Sequence, residues 1–599
     1  MCGLVGYTGK RSVVDILLSS LGRLEYRGYD SAGIAINQNN QLILEKSKGL
    51  LINLENKLAG QKYEATSGIG HTRWATHGEP NERNAHPHLS ENEHIALIHN
   101  GIIENFGKLK ASMLDTHFKS ETDTEVVVQM LGKQITTKSD ENHILKVISE
   151  VCQQLRGAYA FGIMVAHISD KIFFAKKGSP LIIGCGKEEN FIASDIPAVL
   201  PYTNKVIYVK DNELGVISPT KISIYDFKLQ LKNNIVKDIN LLPQQVLRGN
   251  YSTFMEKEIA QGSYAMINTI TNLIKGKTLQ KIPLAKITDF SNIHIVACGT
   301  ALHAGMIAKF LIERECRTSV SLDFASEFRY KKPIINKKSL CLFISQSGET
   351  ADTLASLELA KKQGAYCIAI TNVLGCRISQ IADYVFYTCA GPEIAVASTK
   401  AYVAQITALY CFIERFAKVN DIKIKYDKQE ITRLAKKLED WSSMLEWKNL
   451  IPQMSQQESL YFIGRGLDYY LAMEGALKLK EISYIHCEAF AGGELKHGSL
   501  ALITADSLVI VLLTQKELID KTLNAIHEIK SRGARVILIT QFNYLKNQVD
   551  FIITLPAVND ILMPFVAIKP LQELAFLCAK HKGLDPDKPR NLAKSVTVE

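Results

Sequence analysis

The 599-residue chain shows no uninterrupted apolar run of the length that crosses a bilayer. Its most hydrophobic stretch, LVIVLL at 508–513, falls far short of the roughly 20 residues a spanning helix needs. That stretch reads as a buried parallel strand, and the opening segment MCGLVGYTGKRS has no apolar signal core. The twelve cysteines are dispersed without a single C-x-x-C pair, which argues against a disulfide framework or a thiolate zinc site and points to a reducing, cytoplasmic setting. Lys/Arg blocks are also missing. The 70 basic and 61 acidic residues are interspersed, which gives a nucleic-acid role weak support, and a net charge of +9 suits a small anionic substrate at least as well. There is no H-E-x-x-H and no G-x-x-x-x-G-K-S/T, so neither a zinc-protease helix nor a triphosphate-cradling loop is expected.

What remains is an ordinary globular balance, 46% hydrophobic and 22% charged, on a chain long enough for about three to six domains. Its texture changes near residue 240. Before it come short strand-like runs at 4–7, 31–36, 95–98, 159–165, 171–174 and 206–209, with helical stretches at 12–24 and 142–155. Many strands and few helices imply antiparallel sheets with helices outside. After 250, apolar runs at 293–297, 340–344, 366–370 and 384–387 alternate with helix-length segments, and the pattern recurs at 460–463, 508–513, 535–539 and 550–554. That alternation implies parallel α/β sheets, and its recurrence a duplicated domain. Pro243 and Gly249 mark a linker over 240–250.

Cys2 follows the initiator methionine. If Met1 is removed, the thiol shares a residue with an α-amine whose ordinary pKa of about 7.7–8.0 lets it take a proton near neutrality. A nucleophile with a built-in base follows, unless Cys2 is simply an ordinary second residue. An amide-hydrolysing thiol also needs a carboxylate anchor, an ammonium anchor and oxyanion donors. Arg73 in the loop HTRWATHGEP at 71–80, Asp123 in SETDTE at 120–125, and Asn100 with the Gly101 N–H in HNGIIEN at 99–105 could supply them. The crowd of His71, His77, His86, His88, His94 and His99 invites a metal, yet no acidic residue stands at a helical ligand spacing with them; loop hydrogen bonds explain them better.

In the second half, the strand at 340–344 runs into Ser345-Gln346-Ser347-Gly348-Glu349-Thr350 and then a helix. Free N–H groups and hydroxyls at that helix start form an anion site, or else a simple capping turn. Cys298-Gly299-Thr300 lies on the same carboxyl edge, where open α/β sheets bind ligands. Glu474, Lys478 and Glu481 share one helix face, a spacing that an ion-paired solvated face would also show. The ending PRNLAKSVTVE lacks periodicity and reads on its own as a loose tail.

Taken together, CGLVG at 2–6, YRGYDSAG at 26–33, and the segments at 71–80, 99–105 and 120–125 resemble class II glutamine amidotransferase domains of the N-terminal-nucleophile type. SQSGET at 345–350, EIAVASTK at 393–400, EGALKLKE at 474–481, ELKHG at 494–498 and the final residues 591–599 resemble the duplicated sugar isomerase (SIS) module. The combination is similar to the glutamine–fructose-6-phosphate aminotransferase (isomerising) family, and the match runs nearly end to end. The resemblance implies an α/β multidomain chain: an α/β/β/α glutaminase domain over 2–239, a linker over 240–250, doubly wound SIS domains over 251–425 and 426–589, and a catalytic tail over 590–599. It also implies catalytic roles for Cys2, Asn100, Gly101, Glu481, His497 and Lys594. Arg73, Thr76, His77 and Asp123 would bind glutamine, and Trp74 would gate ammonia. Thr300, Ser345, Gln346, Ser347, Thr350, Val396, Gln405 and Lys478 would hold the sugar phosphate.

No cofactor and no metal are implied, and the partners are L-glutamine, D-fructose 6-phosphate and a second copy of the chain, with no nucleic acid and no membrane. Ala301 stands where a sugar-contacting Ser is common, and Ser499 replaces a common Pro after His-Gly. Two rivals fare worse. A phosphoribosyl-type amidotransferase needs a diphosphate loop with adjacent acids, which the second half lacks. A sugar-phosphate sensor has no use for Cys2, Glu481 or Lys594.

Overall fold

The computed structural model describes residues 2–239, 246–275, 290 and 292–597, so part of the expected linker, residues 240–245, and the last two tail positions lie outside the described residues. The chain divides into two units, Met1–Leu247 with Ala593–Glu599, and Arg248–Leu592.

Two antiparallel sheets build the first unit. One has eight strands in the order Lys237–Asp238, Lys205–Tyr208, Ile182–Cys185, Asn190–Ala193, Gly3–Thr8, Ser67–Arg73, Ser31–Gln38 and Gln41–Lys48. The other has six: Ile222–Asp226, Glu213–Ile217, Ile172–Lys177, Gly157–Val165, Ile95–Ile103 and His88–Leu89. Alternate side chains such as Leu4, Ile69, Ile98, Phe174 and Ile192 form one apolar layer between the sheets. Helix Val13–Gly22 covers the first sheet, and helices Asp123–Gly132 and Glu141–Gln154 cover the second, giving helix, sheet, sheet, helix. Strand Gly3–Thr8 is central in its sheet, and Gly3 pairs with Thr72. Cys2 therefore emerges at a sheet end beside Arg73.

The second unit holds two parallel five-stranded sheets of identical order. They run Val320–Phe324, Asn292–Ala297, Ser339–Ile344, Tyr366–Thr371, Tyr384–Tyr387 and His486–Ala491, Ser459–Gly464, Leu508–Leu513, Arg535–Thr540, Phe551–Thr554. In each, the first strand of the repeat lies between the second and third. The chain thus reverses direction across the sheet at the carboxyl ends of the first and third strands, which is where such sheets open a crevice. Helices Gly299–Cys316, Lys400–Val419, Leu467–Ser483 and Met563–His581 pack on one another and join both repeats in a single apolar core. The segment Asp560–His581 is long and apolar enough to cross a membrane, and 89% of its apolar window is buried inside the fold.

Candidate active sites

Cys2 sits in a web of backbone and side-chain bonds. The Trp74 N–H donates to its Sγ at 3.2 Å, and the Asn100 amide donates to its carbonyl at 2.8 Å. Burial pushes the Cys2 thiol up, against the pull of the nearby amino terminus, the Trp74 N–H and the Arg73 guanidinium. A thiol held protonated needs a base to become a nucleophile.

The Asn100 amide is oriented from behind. His71 Nε2 lies 3.0 Å from Asn100 Oδ1 and 2.9 Å from the His99 carbonyl, two acceptors, so that nitrogen carries the proton. Burial lowers His71 to about 3, which keeps the ring neutral. With Oδ1 fixed on His71, the Asn100 NH₂ faces Cys2, and one of its two protons goes to the Cys2 carbonyl.

The remaining expected residues follow. Arg73 ends its strand buried, and its guanidinium donates to the carbonyls of His77, Gly78 and Glu79, closing the 71–80 loop on itself. Its charge faces Cys2 and Asp123. Asp123 opens helix Asp123–Gly132 behind the Thr122 cap and accepts the Ile103 N–H at 2.7 Å. Thr76 and His77 sit in the loop, with His77 Nδ1 3.3 Å from the Thr76 hydroxyl. The Trp74 ring stands edge-on to Tyr29 at 5.7 Å. The histidines form a buried stack: His86 lies 4.3 Å from His71, 4.9 Å from His88 and 6.5 Å from His99 between ring centres. Their partners are the Thr122 and Thr124 hydroxyls, the Asn100 side-chain oxygen and backbone.

Two residues that the sequence reading gave no role also bear on Cys2. Arg27 donates to the Cys2 carbonyl at 3.4 Å and is ion-paired with Asp195 at 2.7 Å. Asp195 takes the Tyr26 hydroxyl at 2.6 Å as well. Arg27 lay within a quoted motif; Asp195 carried no signal in the sequence.

In the second unit, the Ser345–Thr350 turn is organised around its hydroxyls. Ser345 Oγ accepts the Gly348 N–H at 3.1 Å and lies 3.0 Å from Thr350 Oγ1, while Ser347 Oγ accepts the Glu349 N–H at 3.2 Å. Gly348 has φ +67°, and a Cβ there would collide with the Cys376 side chain. The Gln346 carbonyl accepts the Asn372 N–H at 3.0 Å. Helix Ala351–Lys362 starts after Thr350 with no side-chain cap, leaving its N–H groups to an anion. Val396 is buried and its N–H donates to the Asp587 carbonyl at 3.0 Å; Gln405 is buried on helix Lys400–Val419.

Helix Leu467–Ser483 carries the buried Lys478, whose Nζ lies 2.6 Å from Glu481 Oε2 and 3.5 Å from Glu474 Oε1. Burial lowers the Lys478 pKa, but Glu481 and Glu474 outweigh it and hold the value above the ordinary one, so the amine stays charged. Thr300, expected on the phosphate, donates to Glu474 at 3.1 Å. His497 is exposed on the turn Glu494–His497 before Gly498, and makes no hydrogen bond among the described residues. Arg590 stacks over the Tyr484 ring at 4.2 Å and its N–H donates to the Tyr484 hydroxyl at 2.7 Å, while Lys594 groups with the first unit.

Comparison with known proteins agrees with both halves. Residues 71–201 match the glutamine amidotransferase domain family, and residues 286–415 and 453–579 match the SIS domain family. A Clostridium perfringens protein named glutamine–fructose-6-phosphate aminotransferase (isomerizing) is 45% identical over 618 residues, covering 100% of both chains. One of the same name from Aquifex aeolicus is 40% identical over 611 residues, again covering 100% of both. Among solved structures, the C-terminal domain of glucosamine-fructose-6-phosphate aminotransferase from Francisella tularensis is 38% identical with a TM-score of 0.52, covering 57% of this chain and 99% of that one. With a half-buried thiol in one unit, a hydroxyl-lined turn in the other and 40–45% identity to named relatives across its whole length, this chain belongs to the glutamine–fructose-6-phosphate aminotransferase (isomerizing) family.

Proposed function

We propose that the chain converts L-glutamine and D-fructose 6-phosphate into L-glutamate and D-glucosamine 6-phosphate, the entry step to amino-sugar synthesis. After loss of Met1, the Cys2 thiol gives its proton to its own α-amine and attacks the glutamine side-chain amide. Asn100 and the Gly101 N–H stabilise the oxyanion; Arg73, Thr76, His77 and Asp123 hold the amino-acid end. Ammonia leaves, and water releases glutamate from the thioester. In the sugar half, Lys594 condenses with the C2 carbonyl of the open-chain ketose and expels water. Ammonia then displaces the lysine, and Glu481 moves a proton from C1 to C2.

The phosphate falls to Ser345, Gln346, Ser347 and Thr350, helped by Thr300, with Val396, Gln405 and Lys478 along the sugar. His497 assists ring opening from a second copy in a homodimer, a reading supported by its exposure on its own chain. The domain boundaries follow the family pattern: glutaminase to 239, SIS domains over 251–425 and 426–589, tail from 590. A cytoplasmic location fits twelve cysteines that are all unpaired thiols.

The observation that carries this reading is the pairing of two sites on one chain: a thiol bonded by Trp74 and flanked by Asn100, and the Lys478–Glu481 pair in the domain of the Ser345–Thr350 turn. Cys2→Ala tests it. Glutamine-dependent glucosamine 6-phosphate should vanish while formation from ammonia persists. Retained glutamine-dependent product would overturn the glutaminase assignment.

A further inference from the structure

Helices Gly299–Cys316 and Leu467–Ser483 meet across a buried polar contact that the chemistry above leaves unused. Glu474 is fully buried. Its Oε2 accepts the His303 Nδ1–H at 2.6 Å, and its Oε1 accepts the Thr300 hydroxyl at 3.1 Å and faces Lys478 Nζ at 3.5 Å. Lys478 in turn grips Glu481 Oε2 at 2.6 Å. A carboxylate so deep in the core is tolerated only when both oxygens are satisfied. His303 satisfies one oxygen and thereby aims the other. From the remaining elements, Tyr402 on helix Lys400–Val419 faces Glu474, and Glu393 ahead of that helix faces Lys478.

We propose that His303 is a positioning residue for the sugar reaction: it holds Glu474 so that Thr300 and Lys478 share the other oxygen, which makes occupation of the phosphate site felt at Glu481. This rests on the roles given above to Thr300, Lys478 and Glu481. In this structure Thr300 occupies Glu474 Oε1 and Lys478 holds Glu481, whose Oε2 is then engaged by the ammonium. A bound phosphate draws the Thr300 hydroxyl away. Glu474 Oε1 then recruits the Lys478 ammonium, and Glu481 is released to take the C1 proton.

The test uses the intact protein with ammonia as nitrogen donor, scoring kcat and KM of sugar turnover, with glutamine hydrolysis as the control for folding. His303→Ala should lower kcat on the order of 10- to 100-fold with little change in KM, because Lys478 remains on Glu481. His303→Asn, which keeps an N–H near the Nδ1 position, should restore kcat to within a few fold. On a Glu474→Gln background, His303→Ala should cost little more. An unchanged kcat in His303→Ala, a loss that appears in KM instead, a loss that Asn does not rescue, or full additivity with Glu474→Gln would overturn the proposal. Should His303→Ala also lose glutamine hydrolysis through misfolding, His303→Gln, which shifts the donor to the Nε2 position, replaces it in the comparison with Asn. Glu481→Gln separates the underlying reading: activity retained there removes Glu481 as the base, whereas activity lost there with normal His303 variants overturns the positioning role alone.

Discussion

Asn100 Nδ2 donates to the Cys2 carbonyl at 2.8 Å, so the residue expected to stabilise the oxyanion also fixes the backbone of the nucleophile. Its amide cannot turn over while His71 Nε2 donates to Oδ1. Asn100→Ala should reduce glutamine hydrolysis by about 10²- to 10³-fold, the usual cost of one oxyanion donor. His71→Ala should produce part of that loss by letting the amide flip. Neither should alter sugar turnover supplied with ammonia, and steady-state kinetics with each nitrogen donor would check both.

Gly101 makes a separate demand. Its φ of +134° is open to glycine, and an added Cβ would meet the Ala158 carbonyl on the neighbouring strand. Gly101→Ala should cost on the order of 1–3 kcal/mol in strain and displace the N–H proposed for the oxyanion. A lowered melting midpoint together with lost glutamine hydrolysis is the expected pair of results.

The stacked histidines give the first unit a pH dependence of definite sign. Burial holds His71 at about 3 and His86 and His88 well below their ordinary value. Unfolded, these rings protonate near 6.5. Between the two values the unfolded chain binds more protons, so stability is full above about 6.5 and falls as pH drops through 6.5 toward 3. Thermal melting should shift downward from pH 7.5 to 5. His86→Asn, which keeps an acceptor for the His99 N–H and cannot titrate, should flatten that slope.

These features were unevenly legible in the sequence. Central strands such as Ser339–Ile344 and Leu508–Leu513 are buried on both faces, so they read as unbroken apolar runs. Edge strands Val320–Phe324, His486–Ala491 and Gln41–Lys48 mix exposed and buried positions, and no such run marks them. Cys2, Arg73, Asn100 and Asp123 stood out because they lie in compact motifs. Arg27–Asp195 and His303–Glu474 join residues 168 and 171 positions apart, and only folding brings such partners together. The family resemblance implied Thr300 as a phosphate ligand, and its place on the sheet edge fits that expectation. The buried carboxylate of Glu474, whose need for donors no local pattern announces, takes its hydroxyl in this structure.

The Ser345–Thr350 turn makes a prediction about affinity. Ser345 Oγ braces the Gly348 N–H and lies against the Thr350 hydroxyl, and Ser347 braces Glu349. Hydrogen bonds to a charged phosphate are worth about 1.5–3 kcal/mol each. Ser347→Ala or Thr350→Val should therefore raise KM for fructose 6-phosphate about 10- to 100-fold. Glutamine hydrolysis measured alone should be unaffected.

Trp74 supplies the last test, because its two ends serve different purposes. Its backbone N–H bonds the Cys2 sulfur at 3.2 Å, whereas its ring leans edge-on against Tyr29. Truncating the ring leaves the backbone bond in place, so Trp74→Ala should retain glutamine hydrolysis. Ammonia that escapes to water near neutral pH is mostly protonated and no longer nucleophilic. A ring that keeps ammonia from water should therefore show itself in the coupling ratio. Glucosamine 6-phosphate formed per glutamate released should fall several-fold in Trp74→Ala, and added ammonia should restore the sugar product. A ratio equal to that of the unsubstituted protein would remove Trp74 from the gating role and leave it as packing against Tyr29.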